Sequence, residues 1–292
     1  MSGQRYDVVS FLSDYGLRDE FVGIVKGVIA DIAPHARVID LTHEIPPFDV
    51  RAGSLALARC ISYVPSGIVL AVVDPGVGTE RRGVAVSVGG GRGILIGPDN
   101  GLLSMGTALA GGADEAVVLN NPTYQLEAPG ATFAGRDIFA PAAAHLCNGV
   151  ALGDLGDQLD PNLLLPGIVP LSRTEGNEVV AEVTWVDRYG NCQLNVGPDE
   201  VTALGERVSI ALTSPTGERS TRAASVVRSF AAIGGGVGLV VDSFGMLAIC
   251  VDRGSAAEEL SIAVGDAVRL SALTDAPGVT TNVSLRRGPA VR

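Results

Sequence analysis

The sequence predicts an N-terminal layered α/β domain with a mainly parallel sheet, followed by a small C-terminal β-barrel. Three observations lead there. Short apolar runs alternate with segments of helical spacing through the first half of the chain, as expected of strands joined by crossover helices. One run, Ile68 to Val73, carries no polar residue and reads as a strand buried on both faces. Beyond about Pro161 the texture changes to short runs with a period near two, separated by turn residues, which suits a barrel or sandwich.

Taken in order, Val8 to Leu12 is a β-branched strand followed by the polar turn Ser13-Asp14-Tyr15-Gly16. Phe21 to Ile32 has helical spacing and closes before Pro34. Val38 to Leu41 is a second strand, Val50 to Tyr63 a second helix and Ile68 to Val73 a third strand. Val84 to Val88 and Gly93 to Ile96 form a hairpin around Gly89-Gly90-Gly91. Phe139 to Cys147 is a helix with Pro141 in its first turn. The α/β domain is placed at residues 7–165 and a linker at 166–178. The linker follows from the proline-bearing, uncharged stretch Leu163 to Pro170 and the polar one after it. The barrel spans 179–275, with strands at Val179 to Val186, Arg207 to Thr213, Leu239 to Asp242, Leu247 to Val251 and Ala267 to Ala272. Residues 276–292 form a loose tail.

Composition narrows the function. The formal charge of −11 excludes nucleic acid as a partner, because phosphate recognition needs clustered Lys and Arg. No apolar run reaches the roughly 20 residues that span a bilayer, and Met1 to Asp7 lacks a signal-peptide pattern. The cysteines, Cys60, Cys147, Cys192 and Cys250, are scattered and read as reduced thiols in a cytoplasmic protein. With three histidines and dispersed cysteines, no metal site is indicated. The chain lacks a P-loop, a complete dinucleotide fingerprint and a nucleophile elbow.

Several segments carry chemistry, each beside a plain structural reading. Asp14 and Asp19 follow the first strand, where open α/β sheets bind ligands. A carboxylate there can accept from both hydroxyls of a ribose, or simply cap the next helix. Asp74-Pro75-Gly76-Val77-Gly78 ends the third strand, and Arg81 is within reach to fold back onto Asp74. Such a pair can orient a water molecule, although Asp-Pro-Gly is also ordinary turn chemistry. Thr132-Phe133-Ala134-Gly135-Arg136-Asp137 precedes a helix, and Asp187-Arg188-Tyr189-Gly190-Asn191 gathers an acid, a ring and an amide at a turn.

Together these segments resemble the S-adenosyl-L-methionine (SAM) hydroxide adenosyltransferase family and its relatives, the SAM-dependent fluorinase and chlorinase. The matching pieces run in order. They are Ser13-Asp14-Tyr15-Gly16, Lys26-Gly27-Val28-Ile29, Asp40-Leu41-Thr42-His43, Asp74-Pro75-Gly76-Val77-Gly78, Gly97-Pro98-Asp99-Asn100-Gly101, Thr132-Phe133 with Gly135-Arg136-Asp137, and Asp187 to Asn191. A weaker match surrounds Ser243. The resemblance implies a homotrimer with SAM sites at subunit interfaces. It implies that Asp14 holds the ribose, that Asp19, Asp187 and Ser243 hold the methionine part, and that Tyr189 and Asn191 hold adenine. Phe48 and Gly135 are expected to lie against the ligand, while Phe244 stands where relatives often carry Tyr or Arg.

The family's hydrolytic members are expected to manage water with an Asp–Arg–His triad. Asp74 and Arg81 match its first two members. Ala134 stands where the family's His belongs, and His145, eleven residues further on, is not a positional substitute. Whether Ala134 is an engineered probe or a native residue, the change implies slower turnover with SAM binding retained. The implied reaction is displacement of the sulfonium at C5′ by water or hydroxide, giving adenosine and L-methionine, with no cofactor. One alternative is a chlorinase-like halogenase. Those relatives carry Tyr where Asp74 stands, and a carboxylate repels halide, whereas Gly135 leaves room for chloride. A SAM- or adenosine-binding protein with little catalysis is the other.

Overall fold

Ile68 and its successors alternate between two hydrophobic layers. Ile68, Leu70 and Val72 face one core, while Val69, Ala71 and Val73 face the other. The computed structural model describes residues 4–213 and 219–273, and the chain divides after Val169 into two units. The expected tail at 276–292 lies outside the described residues.

The first unit is built on a seven-stranded sheet. Its strands are β1 (Val8–Ser13), β2 (Arg37–Thr42), β3 (Gly67–Val72), β4 (Gly83–Val88), β5 (Gly93–Pro98), β6 (Ala113–Val118) and β7 (Gln158–Leu159), in spatial order 2-1-3-5-4-6-7. Strands β2, β1, β3 and β5 run parallel, and β4 and β7 oppose their neighbours. Helices α1 (Phe21–Ile32), α2 (Val50–Cys60), α3 (Ser104–Leu109) and α4 (Ala140–Cys147) cover it. α1 and α4 contribute to one core, with Val25, Ile29, Ala143 and Leu146 buried against Val9 and Phe11. Leu57 of α2 joins Leu12, Leu95 and Leu102 in the other. Full burial of aliphatic side chains of this size contributes about 1.5–3 kcal/mol each.

Local signals explain most boundaries. In α1 the buried positions Val22, Val25 and Ile29 recur at helical spacing, and the Ala33 N–H donates to the Ile29 carbonyl before Pro34 stops the turn. The Asp49 side chain accepts from the Ala52 N–H at 2.8 Å and caps α2. That helix ends at Cys60 rather than Tyr63. The hairpin expected around Gly89-Gly90-Gly91 joins β4 and β5, with all three glycines at positive φ. The helix expected from Phe139 begins at Ala140 and is preceded by a π-helical turn, Gly135–Phe139.

The second unit closes on itself. Strands β9 (Glu178–Val186), β10 (Cys192–Leu194), β11 (Arg207–Thr213), β12 (Arg219–Val227), β13 (Val237–Val241), β14 (Leu247–Val251) and β15 (Ala267–Ala272) form a seven-stranded barrel. They pair in the order 9-10-14-13-12-11-15 and back to 9. A short strand β8 (Arg173–Glu175), inside the stretch read as linker, pairs with the N-terminal half of β9. Alternate residues such as Val208, Ile210 and Leu212 fill the barrel core, so the period-two pattern has a direct cause. Closure removes free edges.

Candidate active site

The parallel pairing of β1 with β3 sets Ser13 opposite Val72, so the residues that follow emerge side by side at the carboxyl ends of both strands. The Asp14 N–H donates to the Val72 carbonyl at 3.2 Å. One residue beyond β3, the Val73 carbonyl accepts from Asn100 Nδ2 at 2.9 Å, which steadies the backbone that presents Asp74.

Asp74 and Arg81 form a two-pronged pair. Arg81 Nε donates to Asp74 Oδ1 at 2.9 Å, and a second guanidinium N–H donates to Oδ2. The turn that folds Arg81 back is locally determined. The Val77 N–H donates to the Asp74 carbonyl, Thr79 Oγ1 donates to the Gly76 carbonyl, and the Arg81 N–H donates to Thr79 Oγ1. Arg81 also lies over the Phe139 ring, 5.5 Å from its centroid. Gly83 keeps that packing open, because a Cβ there would stand 2.8 Å from the ring. The couple is largely withdrawn from solvent, with side-chain exposures of 6% for Asp74 and 12% for Arg81.

Electrostatics follow from that burial. Desolvation raises the Asp74 pKa above its ordinary value; Arg81 and its hydrogen bonds oppose the rise, while the nearby Asp14 adds to it. Desolvation raises Asp14 as well, against the bond it receives from Phe48. Two carboxylates thus share a partly desolvated corner with one guanidinium, which leaves a surplus of negative charge.

Asp14 does not cap α1. Its Oδ2 accepts the Phe48 N–H at 2.9 Å, and Glu20 precedes the helix without a side-chain cap bond. Phe48 holds a left-handed backbone, φ 68°, which a bulky residue adopts at a cost, and its ring is exposed. Asp19 stands exposed on the loop before α1.

Ala134 is buried, at 6% exposure, and precedes the π-helical turn. Gly135 lies against Tyr15. A Cβ there would lie 2.1 Å from the Tyr15 hydroxyl oxygen. His145 packs edge-on against Tyr124 on α4, and burial lowers its pKa. Arg136 and Asp137 pair with each other through two hydrogen bonds, at 2.6 and 3.1 Å.

Sequence reasoning passed over one network, which runs from the buried Ser13 and His43 out to the exposed Asp40 and the half-buried Lys26. Ser13 Oγ bonds His43 Nδ1 at 2.8 Å, His43 Nε2 bonds Asp40 Oδ1 at 3.0 Å, and Lys26 Nζ donates to Asp40 Oδ2 at 2.6 Å. The His43 carbonyl also accepts the Gly16 N–H at 2.7 Å. The Asp14 turn is therefore tied to β2 at two points. Placing Ser13-Asp14 and Asp40 to His43 on adjacent parallel strands is the signal that could have found it.

In the second unit, Asp187 organises its own turn. Oδ1 accepts the Tyr189 and Asn191 N–H groups at 2.8 and 2.9 Å, and Oδ2 accepts from Asn191 Nδ2 at 2.8 Å. Gly190 is required there, since a Cβ would meet Ser255 Oγ at 2.1 Å. Asp187, Asn191, Ser243 and Phe244 line a hollow of about 320 Å³ together with Trp185, Arg228 and Phe230. Trp185 and Phe244 meet edge-on at 6.0 Å. Tyr189, 78% exposed, borders a neighbouring hollow with Asn191, Phe230 and Arg253. Asp242 has the same habit as Asp187, accepting from the Phe244 and Met246 N–H groups and so shaping the Ser243 turn. Among the described residues no group of three or more His, Cys, Asp or Glu could hold a metal, and no helix is long and apolar enough to cross a membrane.

A sheet ending in a carboxylate–guanidinium couple, followed by a closed barrel with polar and aromatic residues around its turns, defines a two-domain protein of the α/β-plus-barrel type. The chain belongs to the SAM hydroxide adenosyltransferase family, whose N-terminal domain matches residues 9–156 and whose C-terminal domain matches residues 181–269. It is 43% identical to a (R)-S-adenosyl-L-methionine hydrolase of Salinispora arenicola, over 90% of this chain and 97% of that one. A fluorinase of Nocardia brasiliensis is 29% identical over 69% of this chain and 75% of its own. The crystal structure of an uncharacterized conserved protein from Thermotoga maritima matches with a TM-score of 0.81 at 34% identity, covering 90% of this chain and 99% of that one.

Proposed function

We propose that the chain hydrolyses SAM at C5′, releasing adenosine and L-methionine. The observation that carries the reading is the desolvated Asp74–Arg81 couple at the end of β3, beside Asp14. The relative from Salinispora arenicola, named a SAM hydrolase, supports the substrate. A sulfonium leaves readily, so the protein's main tasks are alignment and supply of a nucleophile. Water donates a hydrogen bond to Asp74, and its lone pair attacks C5′ opposite sulfur. As the C–S pair moves to sulfur, the water proton passes to Asp74, whose affinity for it is raised by burial. Arg81 keeps Asp74 oriented throughout.

Asp14 binds the ribose hydroxyls in this reading, and the negative surplus around it suits a cationic ligand. Asp19, Asp187 and Ser243 serve the methionine part, Tyr189 and Asn191 the adenine, and Phe48 packs on the ligand. Gly135 acts indirectly, by admitting the Tyr15 hydroxyl. The proposal includes a homotrimer working in the cytoplasm without metal or organic cofactor, and light scattering of the purified chain tests its assembly. Ala134 lowers the rate without removing the reaction.

Halogenation is less favoured. A carboxylate at Asp74 repels halide, and the relative with the fuller match is named a SAM hydrolase. The test is incubation with SAM in water and in chloride, with products separated by mass. Adenosine in both, lost in Asp74→Asn, is expected. A chlorinated nucleoside would favour the halogenase, and tight SAM binding without product would favour a binding protein.

A further inference from the structure

Tyr15, on which the charge of Asp74 acts, is packed among three aromatic rings. Its ring meets Phe11 at 6.4 Å, Phe21 at 5.7 Å and Phe133 at 5.7 Å, two of these edge-on. These rings cage the phenol and aim its oxygen at the glycine beside Ala134, so closely that a Cβ at 135 would overlap it. The hydroxyl has no hydrogen-bond partner among the described residues. The residue is half-buried, and its oxygen is not one of the fully buried polar atoms left without a partner, so it is open to a water or a ligand. The charges of Asp14, Asp74, Asp137 and Arg81 all act on it. A phenol placed among such groups, with no hydrogen-bond partner among the described residues, is poised for a water held beside the substrate.

We propose that the Tyr15 hydroxyl is a further catalytic group, accepting a hydrogen bond from the attacking water while Asp74 accepts the other. This rests on the hydrolase reading. Water has two hydrogens, and binding both turns its lone pairs away from the two acceptors, so that one of them can be directed at C5′ as an in-line displacement requires. Tyr15 gives up no proton. Burial, reinforced by the three carboxylates, raises its pKa and keeps it neutral. As water attacks, the C–O bond forms, the C–S pair passes to sulfur and the departing proton goes to Asp74. The tyrosine only fixes the oxygen's orientation.

The test is Tyr15→Phe, which keeps the ring and its aromatic neighbours. Initial rates of adenosine release over a range of SAM concentrations give kcat and KM, and calorimetry gives SAM affinity. The expected result is a fall in kcat of about tenfold to hundredfold, in keeping with loss of one aligned hydrogen bond in a desolvated site. KM and affinity should stay within about twofold, since the ground-state ligand keeps its contacts. A variant with unchanged kcat, or one whose loss lies wholly in affinity, would overturn the role assigned to the hydroxyl and leave the hydrolase reading standing. No adenosine from the unaltered chain would overturn both.

Discussion

At Asp74 the sequence supplies a carboxylate and the fold supplies its unusual surroundings. Its pKa is raised by burial, so the ionised form that accepts from water disappears at a higher pH than for a free aspartate. Activity should therefore fall, as pH is lowered, with a midpoint above the ordinary value of 3.8. A pH–rate profile of kcat/KM checks this, and a midpoint below that value would contradict it. Asp74→Asn should lower kcat by about 10²–10⁴-fold. Restoring an imidazole with Ala134→His should raise adenosine release; no gain in rate would sink the idea that Ala134 impairs turnover. Asp14 allows a sharper prediction, because stability and binding should move in opposite directions. A carboxyl whose folded pKa is raised favours the folded state at low pH, and that contribution is lost as pH rises through the folded pKa. At neutral pH the ionised Asp14 therefore opposes folding. Asp14→Asn, which keeps an oxygen for the Phe48 N–H, should raise the ligand-free melting temperature near pH 7 and weaken SAM binding.

Elements, not single residues, place these groups. The β1–β3 register puts Asp14 and Asp74 on neighbouring strand ends, and β2 anchors the Asp14 turn through His43. Replacing His43 with Leu would remove the partner shared by Ser13 Oγ and Asp40 and leave Ser13 Oγ only the longer bond from the Tyr15 N–H, and a lost hydrogen bond of this kind costs about 0.5–1.5 kcal/mol. Denaturant unfolding should show a loss of that size. The π-helical turn is equally exacting, since Gly135→Ala would drive a methyl into a tyrosine oxygen that three rings prevent from swinging away. Overpacking of this kind costs about 1–3 kcal/mol, and the variant should lose activity along with stability.

Across the whole molecule, each unit has its own core, one on the two faces of a sheet and one inside a barrel. If the native chain binds SAM, ligand at about 100 times its dissociation constant should stabilise it by about 2.7 kcal/mol. A thermal shift that rises with SAM concentration checks this directly; an unchanged transition would count against SAM binding.

Much of this architecture was legible from residue order alone. The apolar run ending in Asp74, the helical spacing of Val22, Val25 and Ile29, and the change to period-two runs after Pro161 are local patterns, because burial on one or both faces writes itself into consecutive residues. The fold-back of Arg81 was legible too, being a short turn. Strands β6 and β12 were not, since Asp114 and Glu115 in one and Arg219, Arg222 and the serines in the other mask the apolar alternation. Nor were the contacts that decide the chemistry. Tyr15 reaches Gly135, Ser13 reaches His43 and Phe48 reaches Asp14 across long stretches of chain. Nearest-neighbour sequence carries propensity and pattern, whereas desolvation, steric exclusion and the pairing of distant charges exist only once strands are in register. That is why residue order could nominate Asp74 and Arg81, and only the assembled sheet could make them a withdrawn couple with a tyrosine oxygen seated on Gly135.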